Sequence, residues 1–129
     1  YGQRMKLTLN LTQAMTLECY LEGLALGIKN DLPLETIREV LDNSGARSKV
    51  AIGKMPAIQH HDFTPNFLME LMNKDVRLAE KEIKKLGLNL PLAESMVKVM
   101  QEGMDAGYSK EDWVAIAKVL EKKAGIEIK

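Results

Sequence analysis

The sequence predicts an all-α domain of about six helices built around one long N-terminal helix. Apolar residues recur at steps of three and four in almost every segment, which is the spacing of a helix with one buried face. No segment shows the alternation of a half-buried strand, and no repeat or low-complexity linker divides the chain. Its 129 residues and 46% hydrophobic content suit one compact domain, residues 1–129.

The first helix is predicted from about Gln3 to Ile28, longer than an average helix. One side carries a core stripe of Ala14, Leu17, Leu21, Leu24 and Ile28. Another side carries residues small enough to let a second helix approach closely: Thr8, Thr12, Thr16, Cys19, Gly23 and Gly27. A helix that is apolar or small on most of its circumference should be buried, either inside the domain or between subunits.

Two shorter helices follow. One is predicted from about Leu34 to Leu41, and the polar turn at 43–47 ends it. The next is a short helical piece whose apolar residues are Val50, Ile52 and Ile58.

The fourth helix is predicted to start at Thr64-Pro65, a capping hydroxyl before a proline at the first helical position. Its pattern holds to Leu86, and Gly87 stops it. The expected core stripe is Met69, Met72, Val76, Ala79, Ile83 and Leu86.

The fifth helix should run from near Pro91 to Ala106, before Gly107. The sixth is predicted to begin at Ser109, whose hydroxyl can cap it while Asp112 supports the first turn. Its inner face would consist of Trp113, Ile116 and Leu120.

Composition excludes several functional classes. The 18 basic and 18 acidic side chains cancel, and no basic stretch is interleaved with aromatics, so nothing indicates a nucleic-acid partner. Charges interrupt the most apolar stretches, which argues against a membrane span or a secretory signal. Cys19 is the only cysteine, which excludes an internal disulfide and fits a reducing cytoplasm. The sequence therefore predicts a soluble, cytoplasmic protein.

Lys6 and Asn10 are polar residues where the first helix calls for apolar ones. Extending the leucine stripe backward at about 100° per residue reaches both positions. Because an unpaired buried ammonium costs several kcal/mol, such a lysine faces a cleft or has a partner. The alternative is that Lys6 lies in a frayed first turn and extends to water, with Asn10 hydrogen-bonded nearby.

Lys74 is a second lysine in an apolar setting. It shares a four-three-four spacing with Phe67, Leu71 and Leu78, and Asp75 follows it. Either its stem packs on neighbours with the ammonium in water, or it lines a cleft and binds a phosphate or carboxylate.

No other chemical site is indicated. His60 and His61 are adjacent, so on a helix they diverge by about 100° and do not readily share a metal ion. The eight methionines are expected to fill the core. The chain has no G-x-G-x-x-G turn, so it carries no dinucleotide fingerprint of its own.

Three motifs, in order, resemble the C-terminal helical domain of the β-hydroxyacid dehydrogenases, the family of 3-hydroxyisobutyrate dehydrogenase and tartronate semialdehyde reductase. They are Lys6-Leu7-x-x-Asn10, Asn43-Ser44-Gly45-Ala46-Arg47-Ser48, and Phe63-x-Pro65-x-Phe67 followed by Met72-x-Lys74-Asp75-x-x-Leu78-Ala79. The resemblance extends over essentially the whole chain and implies a fold like the C-terminal domain of 6-phosphogluconate dehydrogenase.

The resemblance implies a role for four residues. Lys6 would be the catalytic acid/base, Asn10 would contact the substrate, and Lys74 with Phe67 would contact the nicotinamide cofactor. The cofactor would be NAD or NADP, and the substrate a small 3-hydroxy acid or semialdehyde. Oxidising an alcohol by hydride transfer leaves an oxygen that must lose its proton, which is the step a lysine within hydrogen-bond reach can perform.

Several residues of this chain bear on which branch of the family it resembles. Leu9 occupies the place of the histidine in 6-phosphogluconate dehydrogenases, which argues against that branch. Relatives that reduce imines, and the chromatin-associated relative, lack the lysine, so Lys6 favours a dehydrogenase. Asp31 stands where relatives usually have glycine, and Trp113 is bulkier than the usual residue.

The chain also looks like a fragment, because it opens at Tyr1 directly in a helical pattern. The family's N-terminal dinucleotide-binding domain of Rossmann type is absent from it, so we expect the chain alone to be inactive. The apolar first helix predicts a homodimer or homotetramer. The alternative function is a non-catalytic helical dimerisation module that keeps this domain without its chemistry.

Overall fold

The computed structural model describes all 129 residues and confirms the all-α prediction, with six α-helices and one 3-10 turn at Trp113–Ala115. The helices are α1 (Gly2–Lys29), α2 (Leu34–Asp42), α3 (Lys49–Gln59), α4 (Met69–Lys85), α5 (Pro91–Asp105) and α6 (Ile116–Ala124). The only pairing of β type is an isolated bridge between Leu68 and Asp112. None of the helices is both long and apolar enough to cross a membrane.

Helix α1 is central, as predicted, and contacts each of the five other helices. Its predicted core stripe is confirmed: Ala14, Leu17, Leu21 and Leu24 are fully buried, and Ile28 is partly buried against the core. The small-residue side is different, because Thr8, Thr12, Cys19 and Gly23 are exposed. The domain therefore covers one side of α1 and leaves the other open.

The predicted start of the fourth helix is wrong, because α4 begins at Met69. Thr64 does not cap it: its N–H and hydroxyl both donate to the Asp62 carboxylate, at 3.1 and 2.7 Å, and these bonds lower the pKa of Asp62. The segment from Phe63 to Leu68 instead pairs with the chain before α6. At the other end Leu86 lies beyond the helix and is 67% exposed, so it does not belong to the core.

The predicted start of the sixth helix is also wrong. Asp112, not Ser109, is the capping residue, and its Oδ2 accepts the N–H of Val114 at 3.1 Å. The 3-10 turn comes first, and α6 continues from Ile116. The Ser109 carbonyl accepts the N–H of Glu70, so this part of the chain runs beside the start of α4.

Methionines fill the centre of the domain, as predicted. Those buried are Met55, Met69, Met72, Met96 and Met100. Gly103 on α5 lets that helix approach α4, because a Cβ there would lie 2.6 Å from the sulfur of Met69. The close α4–α5 contact in turn holds the face of α4 that looks toward α1.

Candidate functional site

Lys6 and Asn10 meet one carboxylate, that of Asp75 on α4. The Asn10 amide nitrogen Nδ2 donates to Oδ2 of Asp75 at 2.7 Å, and the Lys6 ammonium lies 3.5 Å from the same oxygen. The two side chains are one helical turn apart on α1, so a single acceptor on α4 reaches both. The sequence-predicted pair therefore forms a three-residue cluster where the N-terminal part of α1 crosses α4.

Asp75 needs these partners because of its place on α4. It lies between Met72 and Val76 on the face that packs into the core, and its side chain is only 5% exposed. A buried carboxylate without hydrogen bonds is strongly unfavourable, and α1 supplies a cation and an amide donor. Asp75 was not singled out from the sequence, although a carboxylate on a core stripe was the available signal.

Lys6 is more accessible than its register suggested. Its side chain is 54% exposed, and the buried residue of that turn is its neighbour Leu7. The ammonium is nevertheless not free in water, because it is paired with Asp75. Lys6 thus lies at the rim of the domain, paired with Asp75 on one side and open to solvent on the other.

Lys74 and Phe67 are not joined to this cluster by any hydrogen bond or ion pair. Lys74 is exposed and forms no ion pair. Phe67 is half-buried against the core, and its backbone N–H and carbonyl are bound by Asp112 and Trp113. Leu71, between them on the predicted apolar strip, is 42% exposed, so this flank of α4 is more open than expected.

One buried acid lies outside the cluster. Glu18 on α1 is 8% exposed, its Oε1 has no hydrogen-bond partner, and burial together with the neighbouring Glu22 raises its pKa to about 8. It faces a crevice of about 270 Å³ between α1, α5 and α6. No metal site accompanies it, since no three His, Cys, Asp or Glu side chains are arranged to hold an ion.

Both histidines lie just after the last residue of α3 and are exposed. His61 Nε2 lies 3.0 Å from a Glu121 carboxylate oxygen, a contact that ties this turn to α6.

Comparison with known proteins identifies the family. Residues 1–120 match the family described as "NAD-binding of NADP-dependent 3-hydroxyisobutyrate dehydrogenase". The chain is 31% identical over 128 residues to 2-(hydroxymethyl)glutarate dehydrogenase of Eubacterium barkeri, covering 98% of this chain and 42% of that protein. It is 27% identical over 118 residues to L-threonate dehydrogenase of Escherichia coli, covering 92% and 39%.

A solved structure of a 3-hydroxyisobutyrate dehydrogenase supports the same family relationship. The 3-hydroxyisobutyrate dehydrogenase of Salmonella typhimurium superposes with a TM-score of 0.81 at 26% identity, covering 90% of this chain and 41% of that one. The chain thus spans about 40% of the length of the relatives it matches. By motif, sequence and fold it belongs to the β-hydroxyacid dehydrogenase family of 3-hydroxyisobutyrate dehydrogenase, whose cofactor is NAD or NADP.

Proposed function

We propose that this chain is the C-terminal helical domain of an NAD(P)-dependent 3-hydroxyacid dehydrogenase and supplies the lysine that moves the proton. The observation that supports the proposal most directly is the convergence of Lys6 and Asn10 on Asp75. These residues occupy the motif positions on which the family resemblance rests.

The proposed proton transfer uses the Lys6 ammonium and its conjugate amine. During oxidation the unprotonated Nζ accepts the proton of the substrate hydroxyl, and during reduction the ammonium returns it. The ammonium also stabilises negative charge that develops on the substrate oxygen. NAD(P) supplies the hydride acceptor or donor when it is bound.

Asp75 keeps the two α1 side chains in place for this step. One carboxylate oxygen binds both the Asn10 amide and the Lys6 ammonium, and both contacts lie within the domain itself. Asn10 retains its carbonyl oxygen and its second N–H for a substrate hydroxyl or carboxylate. Holding these groups in advance reduces the entropy that substrate binding has to remove.

The residues of α4 fit the proposed cofactor. Lys74 is an exposed cation without an acidic partner, suited to an anionic phosphate or carboxamide oxygen. Phe67 offers a half-covered aromatic ring beside it along the chain, suited to packing against a flat heterocycle. We assign Lys74 and Phe67 to one wall of the cofactor cleft.

We propose that the dinucleotide-binding domain is a separate N-terminal unit, because this chain covers about 40% of its relatives and has no phosphate-cradling glycine turn. The isolated chain should therefore give no turnover with NAD(P) and small 3-hydroxy acids. Appreciable turnover by these 129 residues would refute the assignment.

The catalytic assignment is tested in the full-length protein by Lys6→Ala. We expect hydride transfer to fall by about 100-fold or more, which is the usual effect of removing a general acid or base. Arg4→Ala is the matched control, since Arg4 is an exposed cation on the same end of α1. If Lys6→Ala and Arg4→Ala both retain activity within a few-fold, Lys6 is not the catalytic group.

A second candidate function, a non-catalytic dimerisation module, is favoured by one observation. The small-residue side of α1 is open in this chain and lies along a groove of about 510 Å³ that also contacts Leu41 and Leu92. For both functions we propose that the domain self-associates, as a homodimer or homotetramer; the dimerisation module would do so without catalysing a reaction. If Lys6→Ala abolishes activity while the protein still self-associates, the chain has a catalytic function in addition to association. The reducing, cytoplasmic location stays a prediction.

A further inference from the structure

We propose that Asp112 is a positioning residue whose carboxylate fixes the backbone around Phe67 and so sets the cofactor-facing wall. The inference rests on the proposed function, which places Phe67 beside the nicotinamide cofactor. It assigns a role in binding to a residue 45 positions away in the chain.

The Asp112 carboxylate accepts three backbone N–H groups. Oδ1 binds the N–H of Asn66 at 2.9 Å and that of Phe67 at 3.0 Å, and Oδ2 binds that of Val114 at 3.1 Å. Asp112 is 3% exposed and forms no ion pair, so backbone dipoles alone balance its charge. Hydrogen bonds from N–H groups to a buried carboxylate are among the stronger ones in proteins.

The bonds to Asn66 and Phe67 belong to a larger set of hydrogen bonds between two chain segments, residues 63–69 and 109–113. The Trp113 N–H donates to the Phe67 carbonyl at 3.0 Å, and the Asp112 N–H donates to the Phe63 carbonyl at 2.9 Å. The N–H and carbonyl of Phe67 are therefore both bound, on either side of its Cα. The ring is half-buried against the core, and the backbone bonds hold the Cα from which it extends.

A cap for the 3-10 turn would need only one of the two carboxylate oxygens. Oδ2 meets that need by binding Val114. Oδ1 is directed instead at residues 66 and 67, which lie before α4 and belong to no helix. A segment without regular structure has more conformations to lose on ordering, so two strong bonds there have a large effect on its position.

The test compares Asp112→Ala with Asp112→Asn in the full-length protein. In Asp112→Asn the amide oxygen can keep both bonds to Asn66 and Phe67 while the NH2 group faces Val114, so the turn cap is lost and the loop bonds remain. Ser48→Ala removes the cap of α3, where the Ser48 hydroxyl accepts the Ala51 N–H at 3.2 Å, and is the matched structural control. NADH and NADPH affinities are measured by fluorescence titration, and exchange of the Asn66 and Phe67 amide protons by NMR.

We expect Asp112→Ala to weaken cofactor binding by about tenfold and to speed exchange of both amides, with Asp112→Asn and Ser48→Ala within about twofold of the parent. The inference is overturned if Asp112→Ala leaves amide exchange unchanged, or if Ser48→Ala weakens cofactor binding equally.

Phe67→Leu tests the proposed function separately. Weaker cofactor binding in this variant is expected. Unchanged affinity there would remove Phe67 from the cofactor wall even if Asp112 anchors the loop, and the proposed positioning role would fall with it.

Discussion

Glu18 gives this domain a pH dependence that can be worked out from its surroundings. The carboxyl is buried between α1, α5 and α6, and the charged groups that face it are Glu22 on α1, Glu102 on α5 and Lys123 on α6. Lys123 is already paired with Glu102 at 2.9 Å, so two acidic neighbours and one engaged cation surround it. Burial first, and Glu22 second, therefore keep Glu18 protonated in the folded protein at neutral pH.

The sign and size follow from the two pKa values. The folded state holds the proton up to about pH 8, whereas the unfolded chain releases it near 4.5, so the folded state binds more protons in between. Stability from this group is thus complete below pH 4.5 and declines as pH rises toward 8. At about 1.4 kcal/mol per pKa unit the decline is about 5 kcal/mol, and water entering beside the ionised carboxylate reduces it to about 3 kcal/mol.

Urea unfolding followed by Trp113 fluorescence at pH 5, 6.5 and 8 measures this decline. Glu18→Gln is a neutral substitute of the same shape, so its free energy of unfolding should lack most of the slope and exceed that of the parent at pH 8. Glu82→Gln, at an exposed position on α4, should keep the slope of the parent. If Glu18→Gln and the parent decline in parallel, the carboxyl is not protonated in the folded state and the reasoning is refuted.

Three further predictions concern cofactor binding, packing and association. Lys74→Ala should weaken NAD(P) binding in the full-length protein, whereas Lys81→Ala, also exposed on α4, should not; equal affinities in titration would leave Lys74 as an ordinary surface lysine. Gly103→Ala should lower the free energy of unfolding by about 1–2 kcal/mol because its methyl group meets Met69, while Gly53→Ala, with open space at its Cβ, should raise it by about 0.5–1 kcal/mol. Denaturant titration measures both, and a stable Gly103→Ala would contradict the tight α4–α5 contact. Light scattering should give a mass of at least twice 14.4 kDa, reduced by Thr12→Glu in the α1 groove; a monomeric parent would exclude self-association through that groove.

Helical periodicity predicted the helices well where the buried stripe was continuous. The bounds of α1, α2 and α5 differ from the predicted ones by one residue, because their apolar spacing begins and ends with the helix itself. The starts of the fourth and sixth helices were misplaced because Thr64-Pro65 and Ser109 satisfy local capping rules. At the fourth helix, the Met69 and Glu70 N–H groups donate to the carbonyls of Glu111 and Ser109, more than 35 residues away, so no local pattern contains these bonds. At the sixth, the cap is local, but Asp112 provides it instead of Ser109.

The candidate site was predictable in part. The motif resemblance singled out Lys6 and Asn10, and the α1 register placed them on the side of its core leucines. Their shared acceptor was not predicted, because Asp75 reaches Asn10 across 65 residues of sequence and only the packing of α1 on α4 reveals it. The accessibility of Lys6 was predicted only by the alternative in which its ammonium extends to water, because a helical stripe gives the direction of a side chain around the axis but not where the neighbouring helix stops covering it.

The hydrogen bonds between residues 63–69 and 109–113 have a consequence for synthesis of the protein on the ribosome. During translation, Lys6 and Asp75 are both present once the first 75 residues of this chain have emerged from the ribosome. The backbone of Phe67 can be bound only after Asp112 and Trp113 have left the exit tunnel. Translation products that end before Ser109 would thus keep Lys6 and Asp75 but lack the residues that bind the backbone of the Phe67 segment. Such products would also lack the core residues Trp113, Val114, Ile116 and Ile128, so premature termination there would disturb folding while every side chain of the candidate site is still present.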